Sequence, residues 1–387
     1  VESSLFDTDG GQALSVTGDV TGVALAGADA NQWVGTDRGS RVLRLDQASI
    51  PAGHTWTVPS SVDLVLVVTA VSVSGTLALS PGVTLKVIDS YPLGGLRVEP
   101  GGALDVEGTA ADPVRVTSYK DDSVGGDTNG DGASVGQIGD YFTAIETTGV
   151  HWSAPDPAPT TITVTHLVAT YGQTAIGTTV GCGYQSCTKA VNEVTVTDSE
   201  FAHLGTAIGL SGGSLTAGTL DVERSTFTDI TNTAINSAVA IARLQGLTVS
   251  HAAAVLSVPT GDASFRGSII DADTGISACN WGGGCSVDAS YVDWGTIEGP
   301  YPAGHPPMVC GSVTAAPWTF NGATADGNIF GSSNCDGSPP PDVQLGDAAA
   351  AAAIRINDLC ALSQDACDIA ELYTTCLSAA RQLAIAN

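Results

Sequence analysis

The segment LALSPGVTLKV (residues 77–87) is followed by a similar segment, LRVEPGGALDV (residues 96–106), and this pair decides the predicted fold. The apolar positions align at an offset of 19 residues, and a Pro-Gly turn divides both segments at the same place. Apolar residues at every second position bury one face of a strand. A hairpin sheet would show the same alternation, but a fixed period with the turn at one place favours coils stacked in register.

A second repeat occupies the middle of the chain. The segments that begin at Phe201 and Phe227 match each other, and 168–176, 247–255 and 269–276 are interpreted as further copies. The closing Ile or Val recurs at Ile176, Ile208, Ile235, Val255 and Ile276. We therefore expect a coil of about 20 residues, with longer intervals carrying loops and equivalent side chains stacked about 4.8 Å apart. The predicted fold class is all-β, a parallel β-helix solenoid.

Changes in composition divide the chain into four parts. Residues 1–47 are an irregular N-terminal β segment or cap, 48–335 the β-helix, 336–346 a Pro-rich linker, and 347–387 an Ala- and Leu-rich α-helical segment without Gly or Pro. The helix would either cap the open end of the solenoid or serve as an assembly contact. We favour the cap, because an open end exposes a strand edge and the apolar interior.

The charge balance excludes some classes of partner. Thirteen basic residues against forty acidic ones give a formal net charge of −27, which repels nucleic acid and anionic membrane surfaces. The surplus acid serves either solubility in a salty habitat or specific cation binding. No apolar stretch approaches the roughly 20 residues of a membrane span. Because Val1 is not a start residue, we expect a mature fragment from which a leader was removed.

Nine cysteines without zinc-type spacing predict an oxidising, extracellular compartment. They form local groups, of which Cys182 with Cys187 and Cys279 with Cys285 look like stapled turns, and Cys310 and Cys335 are further disulfide candidates. The odd number leaves one thiol free or paired between molecules.

An acidic loop carries the most specific local signal. In KDDSVGGDTNGDG (residues 120–132), Asp127, Asn129 and Asp131 occupy positions 1, 3 and 5 of a DxNxDG pattern. That spacing directs several oxygens to one centre, as calcium requires. The Glu of an EF-hand at position 12 is replaced by Ile138, so the remaining ligands must come from elsewhere. The candidates are Asp121, Asp122 and Asp140, and the alternative is a solvated acidic turn.

The stretch from about residue 75 to 145 resembles the right-handed parallel β-helix (pectate-lyase-like) repeats of bacterial secreted and surface proteins. The matching residues are Gly108-Thr109, Asp112-Pro113-Val114, Thr117-Ser118, the acidic loop and Gly139-Asp140, with Tyr141 in place of the usual Trp. The resemblance implies a right-handed solenoid and a secreted or cell-surface location in a bacterium. It implies no particular reaction, because the fold hosts lyases, hydrolases, adhesins and structural modules.

The sequence offers no complete catalytic set. Asp198 with Asp221, or Glu223 with Asp229, could form a carboxylate pair for hydrolysis, and Arg224, Arg243 and Arg266 lie on coils as candidate bases of a lyase. Trp152, Trp281 and Trp294 are weak candidates for stacking on sugar rings. We therefore favour a structural or adhesive extracellular protein with calcium as its cofactor. Its expected partner is itself, as an oligomer or filament, or an extracellular glycan; the alternatives are a polysaccharide lyase or hydrolase and a glycan-binding module.

Overall fold

Parallel strands stacked one coil upon the next form most of the described part of the chain, and a few short strands pair antiparallel. The computed structural model describes residues 5–7, 14–25, 31–34, 42–60, 65–88, 95–151, 153–179, 182–183, 186–210, 216–278, 285–295, 299–300, 308–315, 318–320, 323–325 and 330–331. These residues form strands and turns without any helix, so none of their segments is a helix that could cross a membrane. The predicted linker at 336–346 and helical segment at 347–387 lie outside the described residues.

The strands have the following bounds. Before the acidic loop they are β1 Leu5–Asp7, β2 Leu14–Asp19, β3 Gln32–Val34, β4 Val42–Ile50, β5 Thr55–Val58, β6 Val65–Thr69, β7 Val71–Val73, β8 Thr76–Leu79, β9 Thr84–Val87, β10 Leu96–Val98, β11 Ala103–Glu107 and β12 Val114–Ser118. After the loop they are β13 Thr143–Thr148, β14 Val150–His151, β15 Thr160–Thr165, β16 Leu167–Thr170, β17 Thr174–Thr179, β18 Cys182–Gly183, β19 Ser186–Thr197, β20 Glu200–Leu210, β21 Thr216–Glu223, β22 Thr226–Ser237, β23 Ile241–Val258, β24 Gly261–Ala278, β25 Cys285–Asp288, β26 Val309–Cys310, β27 Val313–Thr314, β28 Trp318–Phe320, β29 Ala323–Ala325 and β30 Phe330–Gly331.

Pairing between coils is parallel and falls into three ladders. Ladder A runs through β2, β4, β6, β9, β12, β16 and then the first part of β20 and β22. Ladder B runs through β7, β10, β13, β17 and the second part of β20, and ladder C through β5, β8, β11, β15, β19 and β21. The long strands β23 and β24 contribute to all three. Each coil visits A, B and C in turn, which is consistent with the predicted β-helix solenoid.

Equivalent apolar side chains stack inside the solenoid, as the repeat predicted. Phe201 pairs with Phe227, and their rings stack with centroids 5.2 Å apart and planes at 6°. A second column in ladder B contains Ile176, Ile208, Ile235, Leu256 and Ile276. The prediction of Val255 as a member of this column is therefore wrong by one residue. Val255 is also buried, but Leu256 is the residue that pairs with Ile235.

The alignment of residues 77–87 with 96–106 does not describe one coil. Leu77 pairs with Leu104, not with Leu96, and Leu96 pairs with Val71. The two Pro-Gly turns therefore lie at different corners, one between ladders C and A and the other between B and C. A strand–turn–strand pattern encodes a corner, and a coil with three corners can place that pattern at any of them.

The ladder begins before the predicted boundary at residue 48. Strand β2 pairs in parallel with β4, and β4 pairs in parallel with β6. Because β4 spans Val42–Ile50, it crosses residue 48 as one continuous strand. Part of the segment assigned to an N-terminal cap thus belongs to ladder A.

Two edges of the solenoid are marked by residues with left-handed backbone. Between ladders A and B they include Tyr171, His203, Asp229, His251 and Asp271, which we call the A–B edge. Between ladders C and A they include His166, Asp198, Arg224 and Gly246, which we call the C–A edge. One residue with positive φ turns the chain sharply, so the side chains at these corners project from the coils.

Candidate calcium-binding loop

The acidic loop is a long insertion at the corner between ladders A and B. It leaves β12 after Ser118 and enters β13 at Thr143. Its first part lies on the outer face of ladder A, where a Cβ on Gly125 would come within 2.9 Å of the Val65 side chain. Gly125 also has φ +70°, so a residue without a Cβ suits this close approach.

Three carboxylates of the loop converge. Oxygen atoms of Asp122, Asp127 and Asp131 all lie within 4.8 Å of one another. In the described part of the chain, no lysine or arginine forms a salt bridge with any of the three. Like charges at this separation repel, and a cation bound between them would relieve that repulsion. An all-oxygen set is the kind that a hard divalent cation binds.

The turn around Asp127 holds part of this set in place. Asp127 accepts hydrogen bonds from the backbone N–H groups of Gly130 at 2.6 Å and Gly132 at 3.1 Å. The hydrogen bond from Gly130 is the main cause that holds the pKa of Asp127 below its ordinary value. The Asn129 amide donates to Asp131 Oδ2 at 2.7 Å. The three residues of the DxNxDG pattern are therefore adjacent, with Asp127 ionised over a wide pH range.

Asp122 completes the cluster from the start of the loop. Its Oδ2 accepts a hydrogen bond from the Ser134 N–H at 2.8 Å, which ties the two ends of the acidic turn together. Its Oδ1 is buried and has no hydrogen-bond partner. A buried carboxylate oxygen without a partner is costly, so Asp122 Oδ1 can gain much from a bound ligand.

Asp121 and Asp140, the other two candidates, are occupied elsewhere. Asp121 is buried and accepts hydrogen bonds from Thr117 Oγ1 at 2.7 Å and from the Ser123 N–H at 3.1 Å. Asp140 is bonded to Lys120 Nζ at 2.8 Å and to the Gln137 N–H at 2.8 Å. Partial burial opposes ionisation of Asp140, but these bonds outweigh it and its pKa is lowered. Of the three candidates, only Asp122 lies in the cluster.

Lys86 anchors the loop from below, and sequence reasoning missed it. Its side chain is fully buried on the outer face of β9, and Nζ donates to the Gly126 carbonyl at 2.6 Å. Tyr119 adds a second tie through its hydroxyl to the Thr128 carbonyl at 2.9 Å. Beside them, Val42, Val65 and Val67 form a small apolar cluster outside the main core. The sequence held one clue to this role: Lys86 is one of only three lysines in the chain and lies in the repeat that precedes the loop.

The predicted disulfide residues are only partly within the described residues. The backbones of Cys182 and Cys187 are paired in the antiparallel β18–β19 hairpin. Cys285 begins β25 and Cys310 ends β26. Cys279 and Cys335 lie outside the described residues.

Of the three predicted sugar-stacking residues, Trp294 lies in the described part of the chain. Trp294 is only 2 % exposed and packs in the main core, so its ring is not accessible to a glycan. Its prediction as a sugar-stacking residue is therefore corrected, because the indole serves as an apolar filling residue. Trp152 and Trp281 lie outside the described residues.

The candidate catalytic carboxylates are held by arginines. Asp198 receives two hydrogen bonds from Arg224, at 2.8 and 2.9 Å, which lower its pKa. Arg224 also binds Glu223 at 2.7 Å, and Arg243 binds Asp221 at 3.2 Å. Glu223 and Asp229, the other suggested pair, belong to different edges of the solenoid. These contacts make Asp198, Asp221 and Glu223 parts of ion pairs along the coils.

The search for relatives of this chain gives no family to which it can be assigned. Comparison with known protein families, with curated proteins and with solved structures found no match. A β-helix alone does not define a function, which has to be inferred from the geometry of the loop and edges.

Proposed function

We propose that this protein is an extracellular structural or adhesive module: a right-handed parallel β-helix of a secreted or cell-surface bacterial protein, stabilised by calcium and disulfides. The observation that carries the proposal is the pairing of the candidate catalytic carboxylates Asp198, Asp221 and Glu223 with arginines. The pairs Asp198–Arg224 and Asp221–Arg243 tie neighbouring coils to each other, and Arg224 also holds the adjacent Glu223. A hydrolase would instead need two carboxyl groups free to act on either side of a bond.

The proposed calcium ion binds at Asp122, Asp127 and Asp131. Support comes from the convergence of their oxygens within 4.8 Å and from the unpartnered Oδ1 of Asp122. Calcium takes six to eight oxygen ligands, so backbone carbonyls and water would complete its shell. The ion would lock a loop that covers ladder A from outside, and its role is therefore structural.

The proposed disulfides staple short loops to the solenoid. The antiparallel backbone pairing of Cys182 with Cys187 supports a disulfide across this short hairpin. The disulfide-bonded state of Cys285 and of Cys310 also supports the proposal. Disulfides of this kind form in oxidising compartments, in agreement with an extracellular location.

The proposed right-handed winding has general support. Strand–crossover–strand connections between parallel neighbours in one sheet are right-handed in about 98% of cases. Successive strands of ladder A are connected in this way, through ladders B and C.

Assembly is the part of the proposal that an image can test. We expect the purified protein in calcium to form filaments, sheets or discrete oligomers by electron microscopy and light scattering. A monodisperse monomer at all concentrations, in calcium and in chelator, would contradict the self-assembling role.

A panel of acidic and neutral glycans, with and without calcium, tests the absence of catalysis. We expect no turnover. Turnover that is lost in Asp198→Asn or Arg224→Ala would show a glycan-degrading enzyme instead, and binding without turnover would show an adhesive module that recognises a glycan. The matched control is Arg97→Ala, which breaks an ion pair with Glu146 in the neighbouring coil at residues that are not catalytic candidates.

A further inference from the structure

Histidine and aspartate alternate along the A–B edge. His203, Asp229, His251 and Asp271 take the same corner position in successive coils, each with a left-handed φ between 50° and 57°. His203 Nδ1 lies 3.2 Å from Asp229 Oδ2. The two ring nitrogens of His251 lie 3.6 Å from Asp229 Oδ1 and 3.5 Å from Asp271 Oδ2. The imidazole of His251 is therefore flanked by a carboxylate on each side.

Within the described ranges, the aspartates of the A–B edge, unlike several other acidic residues of the chain, are not paired with arginine. Asp198, Asp221 and Asp288 are each bonded to an arginine. Among the described residues, no arginine or lysine forms a salt bridge with Asp229, Asp271 or Asp273; histidines are the bases that contact the first two. Three carboxylates stand against two histidines here, so negative charge remains whichever protonation state the imidazoles have. The edge thus carries negative charge that the chain itself does not fully compensate.

A groove of about 420 Å³ opens beside these residues. Its charged side is lined by Asp229, His251, Asp271 and Asp273, and its apolar side includes Ile138 and Ile230. The groove is open to solvent and, like other ligand sites, combines an apolar wall with a few polar groups.

The apolar wall is carried by the second half of the acidic loop. Ile138 is 40 % exposed, although it lies in a segment that is held against the edge. The N–H of Asp140 donates to the Tyr171 carbonyl at 3.1 Å, and a Cβ on Gly136 would come within 2.4 Å of the Tyr171 ring. An exposed isoleucine on an anchored segment is positioned to contact a ligand.

We propose that this groove binds an organic ammonium ion. An ammonium group donates hydrogen bonds to the carboxylate of Asp229 or of Asp271, which lie on opposite sides of His251, and the hydrocarbon part packs on Ile138 and Ile230. Charge and shape both favour this class of ligand: the carboxylates need a cation, and the apolar wall favours one with a hydrocarbon body over a hydrated metal ion. The net charge of −27 raises the local concentration of any cation near the surface. The proposal does not depend on the structural role or on calcium binding.

Titration with 1,6-diaminohexane tests the site, with 1,6-hexanediol as the uncharged analogue of the same length. At low ionic strength we expect the diamine to bind at a single site and the diol not to bind. Calorimetry measures the affinity, which should fall as salt screens the carboxylates. Failure of the diamine to bind, or equal binding of the diol, would overturn the proposal.

Variants distinguish diamine binding in the groove from non-specific attraction to the acidic surface. Asp229→Asn combined with Asp271→Asn should weaken diamine binding by about tenfold or more, because charged hydrogen bonds are lost. Asparagine also suits a left-handed backbone, so the corners should be retained. The control, Glu107→Gln with Glu193→Gln, removes two charges from exposed positions of ladder C and should change the affinity less than about twofold. Equal losses in both double variants would mean non-specific attraction and refute the site.

Ile138→Ala provides a second test that leaves every carboxylate in place. Because Ile138 lies on a loop outside the core, circular dichroism should show an unchanged fold. We expect diamine affinity to fall by about threefold or more as apolar contact is lost. Unchanged affinity in this variant would overturn the assigned role of the apolar wall, and with it the choice of an organic cation.

Discussion

Calcium should stabilise this protein through Asp122, and replacing Asp122 by Asn should remove the effect. Sites in extracellular modules bind calcium with dissociation constants of roughly 10⁻⁴ to 10⁻³ M. We expect this weak range because Asp127 and Asp131 are exposed and only Asp122 is partly buried. At about 10 mM calcium, mass action then adds about 1.4 to 2.7 kcal/mol to the free energy of unfolding.

Urea unfolding after treatment with a chelator measures this difference, with calcium or magnesium added back at equal ionic strength. Magnesium is the control for simple screening of the −27 surface, because it demands a smaller, octahedral site and keeps its water. The expected result is an upward shift of the urea midpoint in calcium that magnesium does not reproduce. Equal shifts in the two ions would refute a specific site.

A pair of variants decides which aspartate belongs to the site. Asp122→Asn should abolish the calcium-dependent shift. Asp140→Asn should lower stability in both conditions, because its bond to Lys120 is lost, while the calcium-dependent shift is retained. The reverse pattern would show that the cation binds near Asp140, contrary to the geometry of the loop.

Three further predictions concern the solenoid and its pH response. Phe227→Ala should lower the free energy of unfolding by about 3–5 kcal/mol, because it removes one ring from the stack with Phe201. The control, Ile241→Ala at an exposed position, should change it by less than about 1 kcal/mol in the same urea titration. Gly102→Ala should destabilise by about 1–3 kcal/mol or more, since its Cβ would lie 2.1 Å from the Val73 carbonyl oxygen; a urea midpoint equal to that of the unmodified chain would contradict this contact. The lowered pKa of Asp140 means that the folded state prefers the ionised carboxyl, so its contribution is present above the ordinary value of 3.8 and is lost as pH falls through the lower folded value. Asp140→Asn should therefore lose less stability than the unmodified chain when unfolding is compared at about pH 5 and pH 3, and an equal loss would show that the ion pair with Lys120 does not contribute.

Local patterns in the sequence were sufficient for the fold class and for much of the core. Alternation of apolar residues reports which face of a strand is buried, and this property depends only on neighbouring residues. The recurrence of Phe201 and Phe227, and of Ile208 and Ile235, therefore identified true columns of the solenoid. The same reasoning wrongly treated 77–87 and 96–106 as equivalent segments one coil apart. A corner motif does not indicate which of the three corners it forms.

The sequence also located the acidic loop and its DxNxDG turn, since backbone bonds within the turn bring Asp127 and Asp131 together. It could not choose among Asp121, Asp122 and Asp140, because that choice depends on how a long loop folds back on itself. The Ser134 N–H binds Asp122, and Lys120 binds Asp140. Lys86, buried under the loop, belongs to a strand one coil earlier.

The sequence by itself determined the repeating strand and the position of the acidic insertion, because both depend on residues that are contiguous in the chain. Only the tertiary structure decided which charges meet. Residues that pair in successive coils are separated by 19 or more positions along the chain, and this separation depends on coil lengths that the loops vary. Asp198 thus meets Arg224, while Asp229 and Asp271 meet His251 and leave a groove whose charge the chain does not fully compensate.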